Sequence, residues 1–399
     1  MDITSLLPIG EHICSIWRLP TELLVLIASH LTQEPLLALS QVCTLFREIA
    51  APEYFALLGF DIPRGYARLP INDGCCRALL VWRRTDAFVP PTSICFSVSQ
   101  TTSDHHFNAL RMFFDSLTSE VRRVYLHLYF GPYKPTTGFL RLLESIRGSG
   151  CTQLGCYGIE LPGAGLRIRH SGVIPDRQSS IESLELSSAL FFTPLSIDFT
   201  LSTIRNAPLV RLKVRNTSLT PAQWASFLKI LDLNHLRELE VDVSCPAQSL
   251  VQFLYRHKVE SLTIRPGIAT RAFSPPRLSP SRHHRPMTLP HSLTKLDGPP
   301  SYVLSFLRYA HVPGDLKYLG IQLGQSSVGD FLFSDILFCT EHFPGLGELY
   351  VYIPDDVDPC ALALPNNYSP TCLVKELTLQ MSDDHTIVRK LIHRLLFSH

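Results

Sequence analysis

Residues 209–241 read LVRLKVRNTSLTPAQWASFLKILDLNHLRELEV. Each end carries the same pattern of apolar residues at i, i+3 and i+5: Leu209-Leu212-Val214 and Leu236-Leu239-Val241. Alternation at 212 and 214, or at 239 and 241, suits a short strand with one face buried. Between them Trp224, Phe227, Leu228 and Leu231 recur at threes and fours, as on one face of a helix. Strand, turn, helix and strand within 27 residues (212 to 239) form a unit too small to bury its own apolar face. Such a unit has to be one of several.

The copies are found on both sides. Ile181-Leu184-Leu186 precedes the stretch and Val259-Leu262-Ile264 follows it. Further on stand Leu316-Leu319-Ile321, Leu346-Leu349-Val351 and Val374-Leu377-Leu379. Weaker copies are Val121-Val124-Leu126 and Cys151-Leu154-Cys156, after a strand-like Ile94-Phe96-Val98. Leu293-Leu296 reads as a damaged copy, because Gly298 and Pro299 stand where the strand should continue. The middle positions, 94, 124, 154, 184, 212, 239, 262, 296, 319, 349 and 377, are 23 to 34 residues apart. Helical spacing intervenes again at Phe107/Leu110/Phe113/Phe114/Leu117, Phe139/Leu142/Leu143/Ile146 and Val303/Phe306/Leu307. The pattern resembles leucine-rich repeats, except that the asparagine usual after the strand is mostly missing. Asn216 is the one place for it. The expected fold is α/β: an irregular leucine-rich-repeat-like solenoid over 91–399, with a parallel β-sheet on its concave face. Arg271–Pro290, with five prolines and four arginines, is expected as an insertion between repeats.

The other end of the chain is different. LPTELLVLIASHLTQEPLLALSQVCTLFREIAAPEYF, residues 19–55, places Leu23, Leu24, Ile27 and Leu31 on one helical face behind Pro20. A second helix is expected from Pro35, with Leu39, Val42, Cys43, Phe46 and Ile49 recurring, and with Pro52 closing it. Two short apolar helices cannot bury this much surface alone, which leaves Leu19, Pro20, Leu23, Leu24 and Ile27 as candidates for a partner-facing surface.

Leu19-Pro20, Glu22-Leu23-Leu24, Ile27, Leu31, Val42-Cys43, Phe46-Arg47 and Tyr54-Phe55 stand in the order and spacing that resembles the F-box. The resemblance implies a helical module over 18–57, followed by a linker or capping segment at 58–90. It implies docking onto a Skp-type adaptor and, through it, a cullin. The chain would then be the substrate-recognition subunit of an SCF-type cullin–RING ubiquitin ligase, its repeats holding a protein target. Leu19, Pro20, Leu23, Leu24, Ile27, Leu31, Val42 and Phe46 would form the adaptor side or its immediate support. A scaffold that recruits no ligase is the alternative.

If the strands are parallel and in register, residues between the apolar positions line the concave face. One rung then presents Arg211, Lys213 and Arg215, and the next Glu238, Glu240 and Asp242, cations facing anions in matching order. Tyr318, Tyr350 and Tyr352 cluster with Glu348, and Arg123, Tyr125 and His127 make a smaller mixed patch. The two charged rungs, with Tyr318, Tyr350 and Tyr352, are the candidate substrate face, aromatics being plausible anchors.

Composition narrows the remaining classes. Lys and Arg number 36 against 35 Asp and Glu, a net charge of +1, so no positive field draws nucleic acid or a membrane surface. Charged residues make up 18% and hydrophobic ones 45%, which argues against disorder. The 30 prolines fit many short elements joined by turns. Eleven cysteines include no C-x-x-C pair, so a zinc ribbon lacks its signature and neither metal nor other cofactor is expected. No basic leader opens the chain and no run approaches the ~18 apolar residues of a membrane span. A reduced, soluble protein of cytoplasm and/or nucleus is expected. No phosphate-binding loop, nucleophile elbow or H-E-x-x-H occurs, so no catalytic residue is assigned and the chain is expected to be no enzyme. Asp104-His105-His106 reads as a polar helix start.

Overall fold

A computed structural model of the chain describes residues 16–58, 60–61, 66–82, 92–99, 101–117, 121–129, 136–158, 179–266, 287–288, 290–311, 315–323, 345–353 and 376–381. One sheet of thirteen strands runs through it in chain order. Its strands are β1 (Phe60–Asp61), β2 (Tyr66–Pro70), β3 (Ser93–Val98), β4 (Arg123–Leu128), β5 (Gln153–Gly158), β6 (Ser183–Ser187) and β7 (Arg211–Val214). It continues with β8 (Glu238–Asp242), β9 (Ser261–Arg265), β11 (Lys295–Gly298), β13 (Tyr318–Gln322), β14 (Glu348–Ile353) and β15 (Glu376–Met381). Apart from it, β10 (Met287–Thr288) pairs with β12 (Ala310–His311). The helices are α1 (Thr21–Ser29), α2 (Gln33–Ser40), α3 (Thr44–Leu57), α4 (Asp73–Trp82) and α5 (Asp104–Asp115). After them come α6 (Thr137–Gly148), α7 (Ile197–Asn206), α8 (Pro221–Ile230), α9 (Ala247–Arg256) and α10 (Pro300–Tyr309). The architecture is a helical module followed by an α/β solenoid-like array.

The expected middle positions are direct neighbours. Ile94, Val124, Leu154, Leu184, Leu212, Leu239 and Leu262 stack strand to strand. The row continues through Leu296, Leu319, Leu349 and Leu377. All these pairs are parallel. The sheet starts earlier than the pattern suggested: within 58–90, β2 pairs with β3 through Ala67 and Leu69, and β1 runs antiparallel to β2. Helix α4 follows, so much of the segment expected to link or cap is built into the sheet. The copy read as damaged is a strand. Gly298 sits at its buried end, where a methyl group would come within 3.1 Å of the Ile264 side chain, and Pro299 leads straight into α10.

A second row, of backbone groups, lies just before the strands. The carbonyl of Arg122 accepts the N–H groups of both Thr152 and Gln153, and that of Thr152 accepts Glu182 and Ser183. Glu182, Val210, Arg237, Glu260, Thr294 and Lys317 repeat the arrangement for the next repeats. The amides that open each of these strands are thus satisfied by the preceding repeat. Asn216 does act locally: at φ 50° it occupies the left-handed region, and its Nδ2 donates to Ser187 Oγ at 3.1 Å.

The helices cover the apolar side of the sheet. Phe96 of β3 meets Phe114 of α5 edge-on, Phe107 meets Phe139 of α6, and Phe192 meets Phe227 of α8. Caps set where the helices start: Thr220 and Gln223 bond each other's backbone, with Pro221 at the first position of α8. Arg147, fully buried, donates to Ser202 Oγ at 2.7 Å, pairs with Glu144 at 2.5 Å and faces the Phe199 ring.

The helical module differs from expectation in its breaks. The chain turns at Gln41 and Val42, so three helices form, and Pro52 lies inside α3. Phe46, Ile49, Tyr54 and Phe55 of α3 join Cys75 and Leu79 of α4 in one apolar core continuous with the sheet. Tyr54 Oη also donates to the Gly74 carbonyl at 3.3 Å. Residues 271–286 of the expected insertion lie outside the described residues, as do Asp383, Asp384 and His385.

Truncating the apolar row should weaken the array cooperatively. Leu239→Ala is expected to lower unfolding free energy by ~2–5 kcal/mol, read by denaturant titration. His257 supplies a pH signature. It is buried at the end of α9 against Phe253, and burial, then Arg256, hold its pKa below the usual value. The fold favours the neutral ring, so stability present above pH ~6.5 is lost as pH falls toward the lowered folded value. Thermal midpoints should decline through that window, and less so for His257→Phe.

Candidate functional site

Helix α1, TELLVLIAS, is apolar nearly all round, yet the chain covers only one side of it. Leu24, 3% exposed, and Ala28 face the core one turn apart. Leu23, Leu26 and Ile27 point outward, at 46%, 56% and 40% exposure, and Leu19 precedes them on the same spacing. Pro20 fixes the start of the helix with φ −54° and ψ 145°. Ile16 is also exposed, and Val42 and Leu45 are exposed around the turn into α3. An amphipathic surface helix normally turns charge to water; this one turns leucine and isoleucine.

The eight residues expected at the adaptor side therefore divide. Leu19, Pro20, Leu23, Ile27 and Val42 are exposed; Leu24 and Phe46 are core residues; Leu31 is half-buried against the core. Helical phase explains the split, since neighbouring positions 23 and 24 lie about 100° apart. Leu26, Leu45 and Ile16 belong to the exposed set and were not singled out from sequence.

The second surface is the sheet face opposite the helices. At its centre two carboxylates, Glu185 and Glu240, both largely buried, lie either side of Lys213 at 3.9 and 3.7 Å. Arg215 reaches both, at 3.3 Å to Glu240, and Arg265 Nε meets Glu240 at 3.3 Å. Tyr157 Oη donates to Glu185 at 3.0 Å. Arg211 and Glu238 face each other in register at 4.0 Å, largely exposed. The expected three-against-three order is thus corrected. Arg215 lies beyond the end of β7 and bridges two carboxylates, while Asp242 is buried and accepts from the backbone N–H and hydroxyl of Ser244. Glu185 and Arg265 were missed, although both fall at the same between-positions of neighbouring copies.

Two aromatic groups flank this network. On the C-terminal side Tyr318 and Tyr350 stack with centroids 6.3 Å apart, and Lys295 Nζ lies 4.5 Å over Tyr318. Burial, then Asp297, pushes the Tyr318 phenol up to about 12. Tyr352 is half-buried one position along, with Gln322 opposite donating to Asp297 at 2.8 Å. On the N-terminal side Tyr125, Tyr157, His127 and Tyr129 form a continuous stack.

One constellation has the residue types of an acid–base relay. His106 Nε2 meets Asp73 at 3.0 Å, and its Nδ1 lies 2.9 Å from Ser103 Oγ. The same Nδ1 accepts the Ser103 backbone N–H at 3.0 Å, so its lone pair is engaged in capping α5. Asp104 and Thr136 bond alongside and tie α5 to α6. The cluster holds helix ends together, as its sequence suggested. Cys75, Cys151, Cys156 and Cys245 are buried, and loss of hydration raises every one of these thiols, Cys151 to about 12. Among the described residues no group of three or more side chains could hold a metal, and no helix is long and apolar enough to cross a membrane.

The family model F-box-like matches residues 16–55, the span of the exposed α1 and its two companion helices. Residues 16–55 thus carry an F-box-like module, and it is joined to a parallel repeat array. Among solved structures it is similar to a chain of the complex of Rad7 and Elc1 in yeast, at 12% identity and a TM-score of 0.38, over 91% of this chain and 93% of that one. No curated protein matches it.

Removing one centre of the charge network should be costly. Glu240→Gln leaves Lys213 and Arg215 on Glu185 alone and takes the carboxylate from Arg265, and is expected to destabilise by ~1–3 kcal/mol. Glu238→Gln, on the exposed pair, should change stability by less than ~1 kcal/mol in the same titration.

Proposed function

We propose that this chain is the substrate-recognition subunit of an SCF-type cullin–RING ubiquitin ligase, and that it does no chemistry itself. The F-box-like module docks a Skp-type adaptor, the adaptor brings a cullin, and the open sheet face holds the protein to be modified. Ubiquitin transfer by proximity then belongs to the other subunits.

The observation that carries this reading is the outward row Leu19, Leu23, Leu26 and Ile27 on a helix whose inner side already rests on the core. A row of this kind is stable in water only at a cost, which burial in an apolar groove of a helical partner removes at roughly 25 cal/mol per Å². The module is anchored to the array through Tyr54, Phe55 and α4, so a partner on α1 is held at a fixed place relative to the sheet. The charged and aromatic open face supplies the second surface, with side chains already paired and oriented before a target arrives.

Affinity capture tests the adaptor half. Wild type should recover a Skp-type adaptor and a cullin, and Leu23→Asp with Leu26→Asp should lose both while keeping the circular dichroism and thermal midpoint of wild type. Leu24→Ala should instead lower the midpoint, because Leu24 is core. Recovery of the adaptor alone would mark a scaffold, and unchanged capture by the double variant would refute the proposed surface.

A further inference from the structure

The open face is unequal along its length. From β6 to β9 its carboxylates are matched by cations, as described above. From β2 to β5 the outward positions are Tyr66, Arg68 and Pro70; Ser93, Cys95 and Ser97; Arg123, Tyr125 and His127; and Gln153, Gly155 and Tyr157. None is acidic. Among the described residues neither Arg68 nor Arg123 has a carboxylate within ion-pair distance; Arg68 instead donates to Tyr129 Oη at 3.2 Å. Both arginines are exposed.

Beside them, on β4 and β5, lies a platform of rings. Tyr125 and Tyr157 stack at 6.3 Å and 29°, Tyr157 and His127 at 4.8 Å and 27°, and His127 and Tyr129 at 6.0 Å and 17°. Gly155 makes room for it: a β-carbon there would come within 2.6 Å of the Tyr125 ring and 3.0 Å of Tyr157 Oη. The platform is fixed at one end by the Tyr157–Glu185 bond and at the other by Arg68. Near-parallel rings held before binding offer contact area at little entropic cost, and two uncompensated arginines beside them favour a negative group.

We propose that this platform is where the target docks, and that it takes an extended acidic peptide segment whose aromatic or prolyl side chain stacks on Tyr157 and His127 while a neighbouring anionic side chain meets Arg68 or Arg123. The proposal rests on the receptor reading above and names the chemistry of its target. Two arginines suit one or two anionic side chains; a nucleic-acid strand needs a longer basic track than this face has. The anion is a carboxylate or a phosphorylated side chain, both of which a guanidinium binds in a fork.

The test is selection of a randomised dodecapeptide phage library on the immobilised full-length chain. Enriched peptides should pair an aromatic residue or proline with Asp or Glu within a few positions. Arg68→Glu, a change at a fully exposed residue, should weaken them about tenfold or more, and Tyr157→Ala should do likewise. Synthetic versions of the winners with phosphoserine in place of the acid separate the two sources of the anion; both support the site. The inference is overturned by no enrichment, by enrichment of basic peptides, by winners that bind Arg68→Glu as tightly as wild type, or by oligothymidylate displacing them. Adaptor capture by the wild-type chain keeps the two claims apart: if it succeeds while the library yields no acidic peptides, only this inference falls.

Discussion

Everything in this molecule depends on keeping one apolar residue per repeat directly beside its counterpart. The row from Ile94 to Leu377 does so without a slip, although the sequence between successive members varies from 23 to 34 residues. A shift of a single residue would turn every leucine of a strand outward and every charged side chain inward. The backbone enforces the same register from a second direction. Each carbonyl just before a strand takes two N–H groups from the following repeat, so the turn that starts a strand is aligned before the strand itself begins. Loop length can therefore vary, because neither alignment passes through the loops.

The functional surfaces follow from that alignment. Stacking at ~4.8 Å brings outward side chains of neighbouring strands into contact, which turns separate Tyr, Glu and Arg residues into patches. Glu185 and Glu240 would be costly to bury singly; shared among Lys213, Arg215, Arg265 and Tyr157 they fasten the middle of the face. Rings then occupy the part of the face that lacks carboxylates. At the other end, α3 delivers the F-box-like module into the same core, and α1 is left with leucines facing water. One end of the molecule thus has an apolar surface and the open face has a polar, aromatic one.

Much of this was legible in the sequence, for identifiable reasons. The i, i+3, i+5 pattern survives because each of its positions packs against two neighbours, so every copy is held to the same spacing. Strand β2 escaped notice because its inward residues are Ala67 and Leu69, too small and too few to make the pattern. The Leu296 copy looked broken because Gly298 reads as a strand breaker, yet its missing side chain leaves room for Ile264. Helix α7 was hidden by Thr200, Ser202 and Thr203. Two of them bury their hydroxyls on partners outside the helix: Thr200 on the Phe191 carbonyl, Ser202 on Arg147. Side-chain destinations were the least legible. Asp242 stands in the outward position of its strand but turns to Ser244, and Leu24 differs from Leu23 only in helical phase.

The register itself is open to direct measurement. Arg211, Glu238, Ser261, Lys295, Tyr318 and Glu348 are successive partners on the open face, five strand spacings from end to end. Nitroxides placed at 211 and 348 through genetically encoded ketone side chains should give a single electron–electron distance distribution centred near about 24 Å. A centre beyond about 35 Å, or a distribution without a defined maximum, would mean that these strands do not stack in one parallel sheet, and the patches built on that stacking would go with it.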